Sequence, residues 1–187
     1  MITAIRDLHG AFFGFIQRVT QGWLPGLLAR FTFAAVLFMY FFNSAKTKVG
    51  DGLSGLLSID DGAYIQILPT VMEKYGYDVC QIPAFPYQVI VYAGTYSEFI
   101  LPALIVIGLF TRIAAVGMIV FVFVQSFVDI TAHGADATAI GAWFDRVPDS
   151  AILDQRAMWV FLLAYLVIYG AGKVSLDHLF SAKNGYH

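Results

Sequence analysis

The sequence predicts an all-α integral membrane protein: a four-transmembrane-helix bundle, with an N-terminal interfacial amphipathic helix and short helices in the first long loop. Three observations predict it. Of 187 residues, 59% are hydrophobic and only 13% charged, about half the roughly 25% charge of a soluble domain. The mean hydropathy is +0.72. Four stretches, 23–43, 87–109, 112–131 and 156–172, are long enough, or nearly so, to cross a hydrocarbon core of about 30 Å at about 1.5 Å per residue. Residues 1–187 therefore read as a single membrane domain.

At the N-terminus, Ile5, Leu8, Phe12, Ile16, Val19 and Trp23 recur at helical spacing. Arg6, Asp7, Gln17, Arg18 and Gln21 interrupt the unbroken apolar core that a cleavable signal needs. The pattern predicts a helix lying in the headgroup layer, or one packed against the bundle in an oligomer. The first span opens at "WLPGLLARF", with Pro25 in its first turn, where proline is tolerated. It exits through the polar "NSAKTKVGDG".

Residues 50–86 form the longest connection. Ser58 ahead of Asp60 and Asp61 suggests a helix cap, and Pro69 breaks the apolar run, so short helices on or dipping into the membrane face are expected. The turn "GLFTR" between the second and third spans is so short that these helices must be antiparallel neighbours. The third span leaves through "DITAHGADATAIGAWFDRVPDS", and the fourth ends at "GAGKVSLDHLF", whose glycines suit a helix terminus.

Four crossings put both termini on one side. Acidic residues crowd the other side, in loops 50–86 and 133–155, while lysine and arginine divide almost evenly. Acids contribute little to the positive-inside rule, so the orientation chosen, termini cytoplasmic and long loops outside, rests on the short connections. A net charge of −2 and the absence of a basic block argue against nucleic acid. One cysteine, Cys80, excludes an internal disulfide or a dithiol motif. His9, His133, His178 and His187 are scattered, with no two at ligand spacing on one helix, so no metal site of this chain's own is expected, while a haem shared with a partner stays open.

The charges inside the spans are the candidates for function. Glu98 interrupts a run that is otherwise uncharged from Tyr87 to Thr111. A lone charge at the bilayer centre costs at least ~2.5–3.5 kcal/mol. By helical rise, Glu98 lies roughly 16 Å above the terminal-side boundary and Arg30 roughly 9 Å, a gap an arginine can bridge. An Arg30–Glu98 pair is therefore expected, either pinning two helices or leaving Glu98 to handle protons or a polar headgroup. Thr95 and Tyr92 extend the Glu98 face. Gln125 and Asp129 on the third span, with Lys46 and Lys48 at the loop-side mouth of the first, complete a candidate polar vestibule.

Several of these residues sit in a recognisable order. "LLARFTFAAVLFMYFFNSAKTK" carries an early arginine, a glutamate follows in the second span, and then come "LPALIVIGLFTRIAAVGMIV" and "GAGKVSLDHLF". Together they resemble the DoxX family of small four-helix bacterial membrane proteins. The resemblance covers all four spans, is strongest from Glu98 to Met118, and is weaker from Gly172 to Asp177. Loop 50–86 is larger than in minimal members and inherits nothing. By this resemblance Arg30, Lys46, Glu98 and Arg112 match the family's charged positions, though none gains a catalytic role.

DoxX-like proteins are similar to the small membrane subunit of thiosulfate:quinone oxidoreductase. The resemblance thus implies a bacterial inner-membrane subunit of a redox-linked complex associated with a quinone, for which the buried polar site read from the residues, Glu98, Arg30, Lys46, Thr95 and Gln125, is the candidate. The competing expectation is a non-catalytic anchor or assembly subunit that docks a protein partner, or a second copy, through loops 50–86 and 133–155. A transporter is disfavoured by the lack of pseudo-repeats.

Overall fold

The computed structural model describes residues 2–183, so His187 lies outside the described residues. Among the described residues the architecture is all-helical, and the only extended pairing is an isolated bridge between Val49 and Ile59. Four helices are long and apolar enough to cross a membrane: Leu24–Lys46, Ala84–Ile107, Thr111–Thr131 and Ala151–Tyr169. The chain is a multi-pass membrane protein.

The ends of these spans depart from expectation for local reasons. The first runs on past Asn43 to Lys46, because polar side chains alone do not stop a helix. It also contains a wide π-turn over Ala34–Phe38. The fourth begins at Ala151 rather than 156. Ser150 caps it: its hydroxyl accepts from the Asp154 N–H (3.2 Å), while the Asp154 carboxylate accepts from the Ser150 N–H (3.0 Å), a reciprocal cap. It ends at Tyr169 rather than 172, because Gly170 adopts φ 74° and turns the chain.

Each span packs on its chain neighbours, and the first closes the ring against the fourth. The shared core is Phe33, Leu37 and Phe41 from the first span, Ile105 from the second, Ala114, Ala115, Met118 and Val122 from the third, and Leu163 and Leu166 from the fourth. Phe41 sets its ring edge-on to Phe121, 5.8 Å away, and Trp159 lies 6.0 Å away, so aromatic packing ties three spans at mid-height.

At the terminal end the first and fourth spans touch backbone to backbone. A Cβ on Gly26 would lie 2.7 Å from the Ala171 carbonyl oxygen. Gly26→Ala is therefore expected to destabilise the fold by about 1–3 kcal/mol, read as a lower Tm in detergent. Gly14→Ala is the control, since its Cβ would meet nothing within 4 Å.

Residues 50–86 form a cap on the loop end of the bundle. It holds helices Gly52–Gly55, Asp61–Ile67 and Pro69–Lys74; the last two bury Ala63, Tyr64 and Met72, and Ile82 after them joins these against Val91 of the second span. The helix start expected at Ser58 falls later: Asp60 accepts from the Gly62 N–H at 2.8 Å. Residues 137–140 form one more turn, and residues 176–183 a last helix on the terminal side.

Candidate functional site

Glu98 stands on the second span with its side chain 6% exposed, and its partner is Lys48, 5% exposed. Lys48 follows the last turn of the first span and sends its stem back into the bundle. Its ammonium donates to Glu98 Oε2 at 3.0 Å, to the Ser44 carbonyl at 3.0 Å and to the Ser44 hydroxyl at 2.8 Å. Ser44 lies four residues before Lys48 and serves as the seat for the lysine head. Pro102, four residues beyond Glu98 on the same helix, has no N–H to give the Glu98 carbonyl.

The expected Arg30–Glu98 pair does not form. The Arg30 guanidinium instead donates to the backbone carbonyls of Val106 (2.9 Å), Ala171 (3.2 Å) and Val174. The physical reason is that helix C-termini leave carbonyls without intrahelical donors and carry partial negative charge. Arg30 points to the ends of the second and fourth spans, where those carbonyls gather. Matching heights along two helices fixed the depth of Arg30 but not its direction. It acts as a clasp at the terminal end, away from Glu98.

The other candidates separate in the same way. Lys46 is exposed, with its ammonium 5.4 Å from the Phe42 ring centroid, and stands apart from Glu98. Thr95 is fully buried one turn from Glu98, and its hydroxyl has no partner. Tyr92 turns outward and is exposed. Gln125 does face the site. Its Nε2 donates to the Tyr40 hydroxyl at 2.8 Å, and its Oε1 is buried without a partner.

A second ion pair lies at the same end of the bundle. Arg156, buried in the first turns of the fourth span, contacts Asp129 at 2.5 Å and the Ser126 hydroxyl at 2.9 Å. Sequence reasoning placed both residues near the loop-side boundary but did not join them. The available signal was position: Asp129 ends one span and Arg156 opens the next, so antiparallel packing levels them.

These groups surround a cleft of about 490 Å³ between the second and third spans. Its polar wall includes Ser44, Lys48, Gln66, Ser97, Glu98, Gln125, Asp129 and His133, and its apolar wall includes Ile90, Leu101, Val120 and Val124. Gln125 and Asp129, four residues apart, occupy successive turns of one helix face, and His133 follows just past the helix end. His133 Nε2 lies 3.0 Å from the Gln66 carbonyl, which ties the end of the third span to the loop cap. Val120 and Val124 are 57% and 56% exposed, so the cleft opens sideways through the face that lipid would cover. An amphiphile can enter it tail-outward, with its head beside the Lys48–Glu98 pair.

A larger hollow of about 970 Å³ at the terminal end is lined by Arg112, Tyr169, Asp177 and His178. Its acid is already engaged, since the Asp177 carboxylate accepts from the Phe110 and Thr111 N–H groups at 2.7 and 3.0 Å and caps the third span. The hollow is a joint between helices, and the Lys48–Glu98 cleft is the better candidate for ligand chemistry. No grouping of three or more histidine, cysteine or acidic side chains suited to a metal ion occurs among the described residues.

Comparison with known proteins returned no match among family models, curated proteins or solved structures.

Proposed function

We propose that this chain is a DoxX-like membrane subunit of a redox-linked, quinone-associated complex in the bacterial inner membrane, with the head of a membrane-soluble quinone held in the Lys48–Glu98 cleft. One observation carries this reading: a buried ion pair sits in the wall of a cleft that opens sideways to lipid. The residues present fit such a group. The volume suits a ring with the start of a tail, the aliphatic wall suits the tail, and the unpartnered Gln125 Oε1 is a ready acceptor for a hydroxyl of the reduced head. A quinone there would supply the two-electron couple that this chain's own side chains lack. Gln125 orients the head, the Lys48–Glu98 pair held by Ser44 lies beside it, and the Ile90–Val120–Val124 wall excludes water from it.

The resemblance at Glu98–Met118 supports the same reading, and the orientation taken with it puts both termini in the cytoplasm and loops 50–86 and 133–155 outside. Helix Ile2–Thr20 is expected to lie in the headgroup layer, since Ile5, Leu8, Phe12 and Val19 are each more than half exposed along one stripe. Glu98→Gln tests the assignment. Wild-type protein extracted from membranes is expected to retain quinone, and the variant to lose most of it, measured by solvent extraction and chromatography. Equal retention by both would remove Glu98 from the site.

A second reading, a non-catalytic anchor that docks a protein partner or another copy, is favoured by the apolar tip of loop 133–155. Trp143 and Val147 are 63% and 54% exposed there, and Phe144 is fully exposed. Partners that co-purify with the wild type, and are lost with Phe144→Ser while quinone content is unchanged, would select this reading.

A further inference from the structure

We infer that the cleft selects an uncharged amphiphile whose head donates hydrogen bonds, so that a hydroxyl-bearing quinol binds in preference to its carbonyl-only oxidised form. The inference rests on the reading of the cleft as a quinone site and goes beyond it by stating which form the site prefers.

Charge comes first. Lys48 is matched by Glu98, and Asp129 by Arg156. A ligand with a net charge would have to displace a member of one of these pairs in a region of low dielectric. A neutral head leaves both pairs intact.

Donor supply comes second. An ammonium has three N–H donors. Lys48 commits all three, to the Ser44 carbonyl, the Ser44 hydroxyl and Glu98. The Ser97 hydroxyl, also in the wall, donates to the Gly94 carbonyl at 2.7 Å. Gln125 Nε2 gives one of its two N–H groups to Tyr40, and Gln66 Nε2 gives one of its two to the Thr47 hydroxyl at 3.3 Å. The partnerless atom in the wall is an acceptor, Gln125 Oε1. Pro102 removes a further donor from the Glu98 carbonyl. A carbonyl-only head would add acceptors to a wall that already holds the Glu98 and Asp129 carboxylates and the unpartnered Gln125 Oε1, whereas a hydroxyl head brings them a donor.

The test uses the full chain in lipid nanodiscs with four probes sharing one short prenyl tail: a benzoquinol, its quinone, its dimethyl ether and a prenol. Binding is measured by equilibrium partition. The quinol is expected to bind about tenfold more tightly than the quinone or the ether, the size of one hydrogen bond. That preference would raise the two-electron midpoint potential of the bound couple by about 30 mV.

Gln125→Leu is expected to level the quinol and quinone affinities while the protein keeps its melting temperature. Gln125→Asn, which retains an acceptor, keeps part of the preference. Quinone binding as tightly as quinol in the wild type would overturn the inference and leave the quinone reading standing. Prenol bound while both quinol and quinone are refused would support donor selection and overturn the redox reading. Refusal of all four probes would overturn both.

Discussion

Lys48→Met is expected to destabilise the protein by about 3–5 kcal/mol, the usual consequence of removing one partner from a buried ion pair. Glu98 would keep its place in the second span with 6% of its side chain exposed and no ammonium to balance it. Ser44 would lose the donor to both its hydroxyl and its carbonyl. Chemical or thermal unfolding in detergent measures the change. Much of the loss should return in the double variant Lys48→Met/Glu98→Gln, because a stranded charge costs far more than a neutral amide. A single variant that melts with the wild type would show that the pair contributes nothing, and the cleft would lose its organising feature.

Arg30→Lys is expected to cost about 3 kcal/mol even though the charge is kept. A guanidinium presents donors along a rigid fork, while an ammonium concentrates three at one point. Arg30 uses its fork to reach three carbonyls, Val106 on the second span and Ala171 and Val174 beyond the fourth. A lysine reaches one or two of them, and each buried carbonyl left without a donor costs about 1–3 kcal/mol. The segment after Gly170 should then loosen. Limited trypsin digestion at Lys173 reads this directly, with faster cleavage in the variant expected. Unchanged cleavage together with an unchanged Tm would refute the clasp.

The long apolar runs made the four spans legible in the sequence, and the charge count made Glu98 conspicuous. The partner of Glu98 was harder to read. Depth along a helix follows from residue counting, but the direction in which a side chain leaves the axis depends on how neighbouring helices are rotated, and no residue count supplies that. Arg30 and Glu98 therefore looked compatible, while Lys48, assigned to the mouth, turned out to reach inward. The Asp129–Arg156 pair was readable in principle, since each residue sits at the end of its span nearest the same connection. The shape of loop 50–86 depended on which face of the second span it would cover. Gly94 is part of that answer, because a Cβ there would lie 3.2 Å from Ile67 Cδ1.

The tight turn through Gly108 and Phe110, with φ of 73° and 48°, joins the second and third spans at their terminal ends, and Asp177 pins it. The two helices are thus fastened at both ends, by this turn below and by His133 against the cap above, and the opening beside Val120 and Val124 lies between the two ties. A guest entering there would come from the leaflet on the loop side, so the protein would sample only one half of the bilayer's lipid pool.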